Sequence, residues 1–387
     1  MTAPLIKVSL ITTMVISFIF ALAPLSRAAD VMLTTKVTDD DITEINIKSH
    51  DDKILKTYKF NLSKHNFPVT EKTPAIKRWE SYKFGAFVCY NSNQFTGQEH
   101  CKTRDPNVYN PTNLDVGNWI DVIKMIGMKY AVLTTRHTSG FLLWDSPTTD
   151  LDVGSSPVKT DVVKEFTDKC RQQGIAPGLY YCMWGGTFNK TPNSRAIILA
   201  QLYELAANYG EIPYFWIDMM YWAPDDLSAQ QVYDLLKNLQ PNTIVIINQH
   251  VQDGSKIRYF PTDVLNGEVK LPPPTGHQPI REVDGKKYYL PFEFEPISQW
   301  GTGWAKTPVG PGCWFTYGSG RSFKASLPLP PDALYKWIKE AYDRGASNVL
   351  LSIAPDFSGS MRQEDVKQLK QLSELLQEEL KKLRSNP

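Results

Sequence analysis

The stretch "KYAVLTTRHTSGFLLWD", residues 129 to 145, decides how this chain is built. Its first half is a short, apolar, β-branched run, as expected of a strand covered on both faces. The run then ends in Arg136, His137, Thr138 and Ser139 before apolar residues return. Polar groups gathered at the end of a buried strand are what a parallel barrel presents at its carboxyl rim. Seven further runs share the character of the first: "FGAFVCY" (84 to 90), "APGLYYCMW" (176 to 184), "IPYFWIDMM" (212 to 220), "TIVIINQ" (243 to 249), "YLPFEFE" (289 to 295), "GCWFTY" (312 to 317) and "NVLLSIAP" (348 to 355). Between several of them lie amphipathic patterns at 116 to 126, 161 to 173, 194 to 209, 228 to 239, 331 to 344 and 363 to 383.

Strands alternating with helices imply βα units and a parallel sheet. Eight such strands predict an α/β fold, a (β/α)8 TIM-like barrel, over residues 80–387. The Pro-rich "KLPPPTGHQP" (270 to 279) falls in the long connection before the run at 289. Long irregular segments of a compact domain are commonly functional loops. Residues 29–79 are polar with some alternation, as in "ITEINIK", and are expected to be a short N-terminal extension on the barrel. After the helical pattern at 363 to 383 too little chain follows for a C-terminal β-sandwich.

Residues 1–28 have the order of a signal peptide: Lys7, an apolar run from Val8 to Ala23, then Ser26-Arg27-Ala28 as a small-x-small cleavage site. The run is shorter than the ~20 residues that span a bilayer. An exported protein, periplasmic or extracellular, is expected, with no membrane anchor after the leader is removed. Lysine and arginine number 42 against 41 acidic residues, which leaves no electrostatic case for nucleic acid. Ten Trp, eighteen Tyr and seventeen Phe offer flat faces on which sugar rings stack. Of five cysteines at least one is unpaired, with Cys89 and Cys101 the nearest pair in sequence. No metal-ligand spacing and no phosphate-cradling glycine loop is present, so neither a metal nor a cofactor is expected.

A barrel keeps its chemistry at the carboxyl ends of its strands. Asp218 stands there, a lone carboxylate inside "YFWIDMMYW", and an unpaired charge in such surroundings is costly. Glu293 and Glu295 are two apart on one strand and share a face. A carboxylate pair within aromatic walls suits glycoside hydrolysis, where one group attacks or activates water and the other protonates the leaving oxygen. No Gly-x-Ser-x-Gly elbow favours a serine hydrolase instead. A structural ion pair for Asp218 and an exposed strand end for the glutamates are the plainer readings.

In its motifs the chain resembles family 29 of the glycoside hydrolases, the α-L-fucosidases. "LTTRHTSGFLLWDS" (133 to 146) is similar to that family's LT-x-KHHDGF-x-LWDS, and "KFGAFVCYNSNQFTG" (83 to 97) to its first strand, FGxFxHFG-x-NTFTG. "YNPTNLDVGNWIDVIKMIGMKY" (109 to 130), "YFWIDMM" (214 to 220) and "GASNVLLSIAPDFSGSM" (345 to 361) match further segments in the same order. "PFEFEPIS" (291 to 298) and "GCWFTY" resemble the subgroup that prefers branched linkages. The likeness covers about residues 80 to 375. It implies a retaining exo-α-L-fucosidase acting on glycans, with Asp218 as nucleophile and Glu293, or alternately Glu295, as acid/base. His137, Trp144, Tyr180, Trp222, Asn248 and Trp314 are the candidate sugar ligands.

The chain departs from that pattern where the family carries histidine, histidine and aspartate: Cys89, Thr138 and Ser139 stand there. An altered glycone pocket follows from the comparison, open to L-galactose or another L-sugar. The alternatives are an α-L-galactosidase-type glycosidase and a carbohydrate-binding barrel without catalysis.

Overall fold

The computed structural model describes residues 32–37, 42–49, 51–67, 70–185, 193–316 and 326–385. Eight parallel strands form the central sheet, in chain order Phe84–Val88, Tyr130–Arg136, Ala176–Cys182, Tyr214–Asp218, Ile244–Ile247, Leu265–Glu268, Phe292–Glu295 and Asn348–Ile353. They are called barrel strands one to eight below. Strand one pairs with strand eight, and the ladder runs unbroken from strand five through strand one to strand six. This is a nearly closed (β/α)8 barrel. Helices Val116–Met125, Val162–Gln172, Ser194–Asn208 and Ala229–Leu239 follow strands one to four, and Pro331–Asp343 and Gln363–Ser385 follow strands seven and eight. Asp115, Asp161 and Ser228 start three of them, each side chain accepting a hydrogen bond from a first-turn N–H.

Two expectations for the strands need correction. "GCWFTY" is not a barrel strand: Gly310–Gly312 pairs antiparallel with Gln299–Thr307, and the chain then runs irregularly through Trp314, while Tyr317 lies outside the described residues. "YLPFEFE" supplies strand seven rather than six. The sixth strand is Leu265–Glu268, inside the segment read as a long connection. Where other strands exchange backbone hydrogen bonds, five and six are joined largely by side chains. Asp263 N–H donates to the Val245 carbonyl at 2.9 Å, while Asp263 Oδ2, Thr262 Oγ1 and Asn266 Oδ1 accept from the N–H groups of Val245, Ile247 and Gln249 at 2.8, 3.1 and 2.9 Å.

The strands Met32–Val37, Ile42–Lys48 and Ile54–Asn61 form an antiparallel sheet. Its alternation buries Tyr58 and Phe60 against Tyr203 on the helix Ser194–Asn208. The Tyr58 hydroxyl donates to Glu204 at 2.6 Å. All five cysteines are buried and unpaired, Cys89 and Cys101 among them. The leader 1–28 lies outside the described residues, and among those described no helix is long and apolar enough to cross a membrane.

Candidate active site

At the carboxyl end of the barrel opens a cavity of about 290 Å³. Asp218 closes strand four at its floor, and Glu268 closes strand six beside it. Asp218 Oδ1 accepts from Met219 N–H at 2.7 Å and from Asn248 Nδ2 at 2.8 Å, and its Oδ2 accepts from the Tyr180 hydroxyl at 2.6 Å. Asn248 Nδ2 also donates to Glu268 Oε2 at 3.0 Å. One amide nitrogen thus touches both carboxyl groups, so the two oxygens it holds lie within about 6 Å of each other. Retaining glycosidases separate their two carboxyls by about 5 to 5.5 Å.

The two acids have different surroundings. Burial and the neighbouring charge of Asp218 push the Glu268 carboxyl up to about 8, so it holds its proton at neutral pH. Asp218, with three donors on its two oxygens, is built to remain an acceptor. Backbone strain gathers at the same residues. Met219 follows Asp218 with φ 53°, Val269 follows Glu268 with φ 49°, and His250 and Val251, just past Asn248, have φ 56° and 51°. Left-handed conformations are rare for valine, and such strain collects where a side chain must be held in one direction. Gly267 meets a related demand, since a Cβ there would stand 2.1 Å from the Lys270 carbonyl oxygen.

Glu293 is not part of this cavity. Side chains two apart along an inward-facing strand occupy successive layers of a barrel interior. Tyr214, Trp216 and Asp218 climb strand four in this way, and each layer has its own carboxyl. Glu293, fully buried, accepts from the Tyr130 hydroxyl at 2.6 Å and from the Tyr214 hydroxyl. Glu295 accepts from Trp216 Nε1 at 3.3 Å and Asn266 Nδ2 at 2.9 Å. Asp218 lies four residues beyond Tyr214, about 13 Å of strand. The structure therefore places the expected acid at the bottom of the barrel and its alternate in the middle, with Glu268 at the mouth.

Of the expected sugar ligands, His137, Tyr180 and Trp314 line the cavity. His137 is buried and stacked near Tyr180, and that burial together with His100 lowers its imidazole to about 3, leaving it neutral. Trp144 is a core residue instead, its indole N–H donating to Glu204 at 2.8 Å. Trp222 sits outside the cavity lining, 37% exposed and stacked on Trp184 with ring centres 5.5 Å apart. Asn248 has both amide hydrogens committed to carboxyl groups and its oxygen to His250 N–H and Asn266, which leaves nothing for a sugar hydroxyl.

Three residues marked the departure from the family pattern, and only Cys89 among them lines the cavity. Thr138 donates to the Glu99 carbonyl, and Ser139 bonds to Ser92, so both organise the loop behind. Burial raises the Cys89 thiol, which is therefore no nucleophile.

Sequence reasoning missed Glu268, Glu99, His100, Tyr221, Arg258 and Trp304, all of which line the cavity. Glu99 is pushed up to about 7 by burial and accepts from the Trp304 indole at 3.0 Å. The available signal for Glu268 was "VLNGE", a carboxylate after a brief apolar run. Among the described residues no cluster of three or more His, Cys, Asp or Glu could hold a metal ion.

A sequence model of the Alpha-L-fucosidase family matches residues 58–274, more than half of the 387-residue chain. Alpha-L-fucosidase 1 of Arabidopsis thaliana is 28% identical over 313 residues, covering 77% of this chain and 58% of that protein. The chain thus spans less than two thirds of this relative's length. Among solved structures, alpha-L-fucosidase isoenzyme 1 from Paenibacillus thiaminolyticus superposes with TM-score 0.62 at 22% identity, over 79% of this chain and 75% of that one. The alpha-L-fucosidase AlfC from Lactobacillus casei, in complex with α-L-fucose product, gives 0.58 at 19% over 80% and 100%. At such identity the two structures speak for the fold alone. Barrel, cavity and family match agree, and the chain belongs to the α-L-fucosidase family, family 29 of the glycoside hydrolases.

Proposed function

We propose that the chain is an exported, retaining exo-α-L-fucosidase that removes terminal α-L-fucosyl or closely related L-sugar residues from glycans. The observation that carries this reading is the Asn248 amide held between Asp218 and Glu268 in one cavity. Asp218 Oδ2 has a single partner, Tyr180, and so keeps a lone pair for the anomeric carbon. Attack there forms the glycosyl-enzyme ester and breaks the glycosidic bond, while Glu268 gives its proton to the departing oxygen. Glu268, now ionised, takes a proton from water as the water's oxygen attacks the anomeric carbon and releases Asp218.

Glu268 replaces Glu293 as acid/base because it is the carboxyl that shares the cavity and the strain. Neutral His137 is suited to a sugar hydroxyl, and Cys89, where the family carries histidine, alters that wall of the glycone pocket. Two carboxyl groups that share one amide in the cavity, Asp218 and Glu268, favour the enzyme reading over the binding barrel.

Aryl α-L-fucosides test the assignment. Asp218→Asn is expected to abolish turnover. Glu268→Gln should slow fucosides with poor leaving groups by about 10² to 10⁴-fold, whereas with a good leaving group, whose departure needs no acid, azide should restore turnover by attacking the glycosyl-enzyme in place of water, with fucosyl azide as product. If Glu293→Gln showed the azide rescue and Glu268→Gln did not, the acid would be misassigned. A folded wild-type chain that binds fucose but turns over no aryl L-glycoside would leave only the binding reading.

A further inference from the structure

Two buried glutamates and one asparagine, Glu293, Glu295 and Asn266, have no task in the mechanism above. Their hydrogen bonds lead to it. Amide orientation is commonly ambiguous, but here two backbone N–H groups decide it. Gln249 N–H donates to Asn266 Oδ1 at 2.9 Å, so the Asn266 nitrogen faces the other way, donating to Asn248 Oδ1 at 2.8 Å and Glu295 Oε2 at 2.9 Å. His250 N–H donates to Asn248 Oδ1 at 2.9 Å, which turns the Asn248 nitrogen to Asp218 and Glu268. At the lower end both oxygens of Glu293 accept from tyrosine hydroxyls, an arrangement that suits an ionised carboxylate. Burial raises both carboxyls, Glu293 to about 7 and Glu295, which also feels Glu293, well above the ordinary carboxylate range.

We infer that Asn266 and Glu295 are positioning residues for the catalytic pair: Glu295 holds Asn266, Asn266 holds Asn248, and Asn248 divides its two amide hydrogens between Asp218 and Glu268. This rests on the fucosidase reading for its kinetic consequence, though not for its geometry. Glu295 is faced by Glu293 on its own strand, Glu268 on strand six and the Trp216 indole on strand four. Glu268 is faced by Asp218 and Glu99, with Tyr221 nearby. The barrel thus stacks two carboxyl pairs, Glu293 with Glu295 and Asp218 with Glu268, with the amides of Asn266 and Asn248 between them. A glutamine at 295 keeps the acceptor toward Asn266 and a donor toward Glu293, giving up only the long 3.3 Å contact accepted from the Trp216 indole, whereas leucine at 266 breaks the link.

Two test variants, one assignment variant and the wild type, labelled with ¹³C at the glutamate side-chain carboxyls, test this. The Glu268 resonance is assigned by its loss in Glu268→Gln. Asn266→Leu is expected to shift the Glu268 titration and to lower kcat about tenfold for a fucoside with a poor leaving group, with KM little changed. Fucosyl fluoride, which needs no proton, should be affected less. Glu295→Gln, the conservative variant, should retain the wild-type titration and leaving-group dependence. The inference is overturned if folded Asn266→Leu keeps both wild-type properties, or if Glu295→Gln disturbs them as strongly as Asn266→Leu. Should Asn266→Leu not fold, the wild type decides: the Glu295 carboxyl is expected to stay protonated while Glu268 titrates, and a Glu295 that ionises before Glu268 would overturn the inference. A wild type inert toward fucosides would sink the fucosidase reading alone, since the Glu268 titration still tests the positioning.

Discussion

A carboxyl that donates a proton at neutral pH has to be kept from ionising, and one that attacks carbon has to be kept from protonation. In the proposed mechanism Glu268 is the first, its carboxyl raised by burial and the charge of Asp218, and Asp218 is the second, its oxygens accepting from Tyr180, Asn248 and Met219. The sign of the resulting pH dependence follows. Glu268 is active when protonated, so kcat/KM should fall as pH rises through about 8. A pH-rate profile on an aryl fucoside checks this, and the limb should be absent from Glu268→Gln. Asp218 was legible in the sequence because one carboxylate among aromatic residues at a strand end needs a reason. Glu293 and Glu295 were misplaced because strand periodicity tells which face a side chain takes but not which layer of the barrel it reaches.

At the scale of elements, strands with apolar, β-branched runs could be read directly, since burial on both faces leaves that pattern whatever the function. Strand six could not. "LNGE" has no β-branched residue, lies next to a proline-rich loop, and is held at the seam by side chains of Thr262, Asp263 and Asn266 rather than by its own pattern. Glu268 was hidden because its strand was. "GCWFTY" shows the opposite error, an aromatic run that resembles a strand but lays Trp314 along the cavity from a loop. Asp263 bears much of the seam: besides Val245 it holds the buried Lys237 ammonium at 2.7 Å and the Tyr233 hydroxyl at 2.8 Å. Asp263→Ala would leave Lys237 buried without its partner, at a cost of about 3 to 5 kcal/mol in denaturant unfolding. A loss under 1 kcal/mol would show that the seam is held elsewhere.

For the whole molecule, the interior carries acids whose folded values lie above their unfolded ones, Glu99 at about 7 and Glu268 at about 8, and histidines shifted the other way, His137 at about 3 and His277 at about 4. A raised acid favours the fold while protonated, and that contribution is lost as pH rises through the folded value. A depressed histidine costs stability as pH falls below its unfolded value, near 6.5. Above that pH only the acids still act, so the melting temperature should drop by a few degrees between about pH 6.5 and 8.5. Glu268→Gln should flatten that slope. A melting temperature that rises over the same interval would mean that these carboxyls are ionised in the fold.

The most direct measurement is to trap the glycosyl-enzyme. A 2-deoxy-2-fluoro-L-fucosyl fluoride slows both steps but leaves its good leaving group to drive the first, so a covalent ester accumulates on the nucleophile. Intact-mass analysis followed by peptide mapping should find one sugar per chain, attached to Asp218 and absent from Asp218→Asn. A label on any other carboxylate, or turnover with inversion and no adduct, would contradict the assignment of Asp218 as the nucleophile of a retaining enzyme.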